Sequence, residues 1–157
     1  GVEKALNDLI KMREDEGTIL KEAIINQIND IIKLRETIKT RQSITVQEFQ
    51  SKLKEKIQAL TIGIELDPAR IAQETALLAD RCDVTEEIVR LRSHLEQVHK
   101  LVASDEPQGR KLEFLTQEIN REVNTIGSKT IDLEVSKTVI EMKSHLEKIR
   151  EQLANVE

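Results

Sequence analysis

From Val84 to Val102 the chain reads VTEEIVRLRSHLEQVHKLV, and its apolar residues Val84, Ile88, Leu91, Leu95, Val98 and Val102 alternate by four and three. That spacing winds a single stripe along a helix of 3.6 residues per turn and does not fit the period of two of a strand. A helix with one apolar stripe gains most of its stability by burying it, so partners of the same kind must lie elsewhere in the chain. Downstream, Ser104 to Gly109 (SDEPQG) gathers turn-forming residues and predicts a loop. A further helix follows from Arg110 or Lys111 to Ile126, with Leu112, Leu115, Ile119, Val123 and Ile126 inward, and Gly127 with Ser128 is expected to end it. Asp132 is placed to cap a last helix, whose stripe runs Val135, Val139, Met142, Leu146, Ile149, Leu153, Val156.

Upstream, Asp83 opens the decisive helix in a D-x-x-E pattern with Glu86, and Asp67 with Pro68 supplies a cap and a first-turn proline for the helix before it. Ile71, Thr75, Leu78 and Cys82 form that helix's seam, so Cys82 reads as a small buried hydrophobe. Thr61 to Leu66, around Gly63, predicts a break. Before it, Thr45 and Glu48 make a capping-box pattern ahead of Val46, Phe49, Leu53, Ile57 and Leu60, with Ser43 an alternative cap. Leu6, Leu9, Ile10, Leu20, Ile24, Ile28, Ile31, Leu34 and Ile38 line a first helix, which would reach about 60 Å if unbroken to Arg41, with Gly17 its weak point. The prediction is an all-α chain: a long antiparallel, coiled-coil-like helical hairpin over residues 1–66 and a helical bundle over residues 67–157, together one continuous C-terminal domain of a larger protein.

Composition narrows the function. The chain has 157 residues, 24 Lys and Arg against 29 Asp and Glu, and a net charge of −5, with the two signs interspersed. Phe49 and Phe114 are its only aromatics, which removes most of the stacking platforms of single-strand binders, so a nucleic-acid role is expected to do without them. One cysteine excludes a disulfide framework and a multi-thiolate zinc site, and suggests a reducing cytoplasm. No apolar run is long enough to cross a membrane, and a first residue other than Met points to a fragment or a processed chain. No phosphate-binding P-loop, dinucleotide fingerprint, HExxH or GxSxG occurs.

The segment from Gly109 to Lys129, GRKLEFLTQEINREVNTIGSK, departs from the Glu and Lys alternation of the other helices. Glu113, Gln117, Asn120, Arg121 and Asn124 share one face, and Glu118 and Glu122 sit a turn apart on its flank. Two carboxylates at that spacing can share a divalent cation while amides fill its other positions and an Arg holds a phosphate. The plainer reading has Glu118 and Glu122 as helix formers pairing with Arg121 and Lys129. His94 borders the apolar seam one turn after Arg90, with Glu87 beside the same face, and could serve as a general base or phosphate donor. Arg90, Arg92, Arg110, Lys111, Arg121 and Lys129 form a phosphate track only if folding lays their helices side by side.

Those residues carry a resemblance. MREDEG (Met12 to Gly17), ETALLADRCDVTEEIVRLRSHLEQ (Glu74 to Gln97), EPQGRKLEFLTQEINREVNTIGSK (Glu106 to Lys129) and HLEKIREQLANVE (His145 to Glu157) resemble the C-terminal helical region of the YicC/YloC family of bacterial proteins. The resemblance implies an endoribonuclease acting on single-stranded RNA with a divalent metal ion, Mg or Mn, assembled as a homo-oligomer such as a hexamer, and a separate N-terminal domain of similar size. Carried over by position, the expected functional residues lie in the second and third of these blocks, and the mechanism read onto them has Glu118 and Glu122, with Glu87, as the expected metal ligands. His94, Glu118, Arg121 and Glu122 are the expected catalytic residues, and Arg90, Arg110, Lys111, Asn120, Asn124 and Lys129 the expected RNA contacts. A competing reading is structural: a helical oligomerisation module or an adaptor for other RNA-degrading proteins, whose long first helix binds a partner.

Overall fold

The structure, a computed structural model, describes residues 1–60, 63, 65, 67–105 and 108–155. Its five helices are α1 (Val2–Leu60), α2 (Pro68–Cys82), α3 (Thr85–Ala103), α4 (Gly109–Lys129) and α5 (Leu133–Ala154), and the described residues hold no strand. The all-α prediction holds. The expected turns at 61–66 and 104–109 fall partly outside the described residues, as does Val156 of the last stripe.

The predicted hairpin is not where the capping pattern put it. α1 runs unbroken for 59 residues, about 88 Å at the rise of an α-helix. Ser43 donates its hydroxyl hydrogen back to the Thr40 carbonyl, and Thr45 Oγ1 lies 2.8 Å both from the Arg41 carbonyl and from Asp132 Oδ2. Glu48 accepts from Arg41 at 3.0 Å. The hydroxyls that could have capped a new helix are thus satisfied inside a continuing one, and no Gly or Pro stands between Thr18 and Leu60 to break it. The chain reverses only after Leu60, and α2 then packs on the last part of α1.

The middle of α1 is a wall of a four-helix bundle. Lys21 Nζ donates to the Ser104 carbonyl (3.2 Å) and Arg35 Nε to the Ile88 carbonyl (3.0 Å), which sets α3 antiparallel to α1. Gln27 meets His145 at 2.6 Å and Thr45 meets Asp132, which sets α5 antiparallel on the other flank. α4 closes the ring between α3 and α5. Ile24, Ile28, Ile31 and Ile38 of α1 share one core with the stripes of α3, α4 and α5, so the core crosses the expected boundary at residue 66. Leu6, Leu9 and Ile10, expected on the inward stripe, are exposed, because α1 extends past the bundle before Leu20.

Two termini follow prediction and one does not. Asp67 accepts from the Ala69 N–H, with Pro68 in the first turn of α2, and Asp132 accepts from the N–H groups of Glu134 and Val135. Gly127 and Ser128 do not end α4, which continues to Lys129. Gly127 instead lets α4 and α5 pack closely: a Cβ there would lie 3.0 Å from Val139 Cγ1. Cys82 is half-buried on the α2 seam, and burial pushes its thiol up.

Candidate nucleic-acid interface

α3 and α4 pack antiparallel, and two cross-helix pairs set their register. Lys129 Nζ lies 2.6 Å from Glu87 Oε1, and Arg90 Nε lies 3.0 Å from Glu122 Oε1. One turn further along α3 is His94, and one turn back along α4 is Glu118, so this register puts the two level. The helix carrying the imidazole and the helix carrying the carboxylates, amides and guanidinium therefore share one groove.

The acids at the bottom of that groove are sealed. Glu87 is 2% exposed and Glu122 5%, and carboxylates so buried need cations to offset their lost hydration. Arg90 supplies one cation to three acids: it bonds Glu122 through Nε and Glu86 through Nη1, and its Nη2 lies 3.9 Å from Glu87. Burial pulls the Glu87 carboxyl upward, but the hydrogen bond from Lys129, aided by the Arg90 charge, outweighs it and leaves the group below its ordinary range. The same contacts raise the partners: the Glu122 bond holds the Arg90 guanidinium protonated, and the Glu87 bond does so for Lys129. Two buried atoms on this face of α3 have no hydrogen-bond partner, Glu87 Oε2 and His94 Nδ1.

The expected site residues separate into groups. Glu87, Arg90, Glu122 and Lys129 come together, with His94 and Glu118 adjoining in register. Glu118 is half-buried and in no ion pair among the described residues, so the pairing expected for it with Arg121 or Lys129 does not form. Arg121 is exposed on the outer flank of the same stripe. Asn120 lies two turns before Gly127, on the side of α4 that turns toward α5, and Asn124 is exposed on the outer face between. Arg110 and Lys111 are exposed in the first turn of α4, about 16 Å or more from Glu122 along the axis. Arg110, Lys111 and Arg121 make no ion pair among the described residues. Sequence reasoning missed Glu86, whose i,i+4 spacing to Arg90 was the available signal.

The donor set does not suit a metal ion in the way its spacing suggested. Among the described residues no three His, Cys, Asp or Glu side chains are grouped to hold one, and Glu87 and Glu122 already face cations of the protein.

Comparison with known proteins places the sequence in a family. The family described as "Endoribonuclease YicC-like, C-terminal" matches residues 38–157. A protein of Clostridioides difficile (strain 630) named "Probable endoribonuclease YicC" is 43% identical over 157 residues, covering 99% of this chain and 54% of the relative. Its namesake in Haemophilus influenzae is 34% identical over 152 residues, covering 97% of this chain and 52% of the relative. The chain spans about half the length of these curated relatives. With the family region starting inside α1 and running through α2 to α5, the chain belongs to the endoribonuclease YicC-like family and carries its C-terminal domain.

Proposed function

We propose that this chain is the C-terminal helical part of an endoribonuclease that cleaves single-stranded RNA, and that the α3/α4 groove is where the phosphodiester is held. The observation that carries the reading is the Arg90–Glu122 contact, which makes one surface of two helices that the sequence could only name separately. Cleaving a phosphodiester requires proton transfer at the attacking and leaving oxygens and a cation against the phosphate charge. Glu118 supplies an unpaired carboxylate, His94 an imidazole level with it, and Arg121 an unpaired guanidinium on the same stripe. Glu122, sealed against Arg90, acts by positioning that guanidinium. No step is assigned to a metal, because the described carboxylates do not form a seat for one.

The test is cleavage of an unstructured RNA by the full-length protein and by this chain, with and without chelator. Glu118→Gln is expected to lower the full-length rate at least a hundredfold with folding intact; an unchanged rate removes Glu118 from the chemistry. A loss of cleavage in chelator would assign the Mg or Mn dependence to ligands outside the groups described above.

A second reading rests on a different observation, the bare apolar residues Leu6, Leu9 and Ile10 on the projecting end of α1. As a homo-oligomerisation or adaptor module, the chain would assemble on a sizing column or retain RNA-degrading proteins, yet show no RNA affinity that falls with salt. No helix among the described residues is long and apolar enough to cross a membrane, and the single cysteine favours the cytoplasm as the working compartment.

A further inference from the structure

We propose that Phe114 is a base-stacking residue, on which single-stranded RNA lays one base while the neighbouring cations of α4 take its phosphates. The inference rests on the RNA-binding reading above and adds to it a contact that charge alone does not supply. Phe114 lies in the second turn of α4 and is 59% exposed, whereas Phe49, the other aromatic of the chain, lines the groove between α1 and α2. A single exposed apolar residue is ordinary on a protein surface; the surroundings of this one are not.

Helical spacing puts Arg110 and Lys111 one turn before Phe114, Gln117 and Glu118 one turn after it, and Arg121 two turns after it, all on one stripe. Three of these five are cations with no ion pair among the described residues, Glu118 is the one acid among the five, and Glu113 lies exposed on their flank. In a chain of net charge −5, that is a local surplus of unpaired positive charge flanking a flat apolar ring. A protein partner would find an apolar spot here. A single strand finds both of the things it needs, a π-face for a base and cations for the phosphates on both sides of it, Arg110 and Lys111 about 5 Å before the ring along the helix axis and Arg121 about 10 Å after it. The stripe also continues along α4 to Glu118, so a base seated on Phe114 would direct the adjoining phosphate toward the His94 level of the groove.

The chain contains no Trp or Tyr, so Phe114→Trp introduces a sole indole reporter. Titrating that variant with a single-stranded adenylate oligomer should quench its fluorescence, and the quench should be reversed by salt. Phe114→Ala and Phe114→Leu should both bind the oligomer about five- to a hundredfold more weakly than the parent chain, with the slope of affinity against salt unchanged. Lys111→Ala and Arg121→Ala should each flatten that slope by about 0.7, the share of one phosphate contact on a single strand. Unaltered affinity in Phe114→Ala, beside a parent chain that binds RNA, overturns the inference and leaves the function intact. Binding by Phe114→Leu as tight as the parent's, or a change in oligomer size in place of RNA affinity, would mark an apolar protein contact and overturns it as well. If the parent chain and the full-length protein show no salt-dependent RNA binding, the function itself is lost first.

Discussion

Asp132 and Glu87 are both buried acids that tie one helix to another through a partly exposed cation, yet Asp132 uses both of its oxygens and Glu87 only one. Asp132 Oδ1 caps α5 while Oδ2 accepts from Arg41 at 2.6 Å and from Thr45 at 2.8 Å, joining α1 to the α4–α5 turn. Glu87 Oε1 accepts from Lys129, and Oε2 is sealed without a protein partner, as is His94 Nδ1 two turns further along α3. A completed set of bonds is what a purely structural clasp needs. An incomplete one leaves an oxygen to be met by something outside the protein, a water or a ligand. The two clasps differ in this way although they stand close together, Lys129 coming three residues before Asp132.

The contrast can be broken by mutation. Asp132→Ala removes a cap and two charge-assisted contacts, and should lower unfolding free energy by about 2–4 kcal/mol in urea titration without a direct effect on RNA binding. Glu87→Gln should be milder, about 1–2 kcal/mol, because Lys129 and Arg90 can turn to water, but it should weaken RNA cleavage by releasing both cations. The contrast would fail if Asp132→Ala impaired RNA binding in a chain still folded and Glu87→Gln did not.

Acid sharpens the same comparison. Both carboxyls sit below their unfolded values despite burial: Arg41 and Thr45 outweigh the desolvation of Asp132, and Lys129 that of Glu87. Each therefore adds stability that is complete above the ordinary carboxylate pKa of about 4 and is lost as pH falls through the lower folded value. Urea midpoints measured downward from pH 5 should drop steeply in the parent chain and less steeply in Asp132→Asn or Glu87→Gln. The smallest expected effect lies on α4 just before both clasps: Gly127→Ala gains helix propensity but forces its methyl against Val139, so it should cost no more than about 1 kcal/mol, and Val139→Ala should relieve that cost.

The helices were legible wherever a local signal had a single meaning. Asp67 before Pro68, and Asp132 before the stripe from Val135, mark helix starts because those side chains have backbone donors within reach. Thr45 followed by Glu48 looked the same but meant the opposite, since the hydroxyl bonds backward and its second partner, Asp132, comes from 87 residues away. Gly127 misled similarly: its missing Cβ serves contact with α5, not termination. In the site, spacing named Glu87, Arg90, Glu122 and Lys129 as residues of interest, but not that acids and bases on facing helices would neutralise one another. The absence of nearly all aromatics was legible as well. What composition could not show is that one of the two stands in the open on a stripe with three unpaired cations.

α1 has a mechanical consequence. A helix that belongs to the bundle at Ile24 to Ile38 and runs on without a hinge to Val2 is a lever with its fulcrum in the core. About 27 Å of it stands clear, so a tilt of about 10° within the packed layer sweeps its tip through roughly 5 Å. Slight repacking at one end of the molecule is thereby magnified into a reach large enough to open or shut a gap against a neighbouring body.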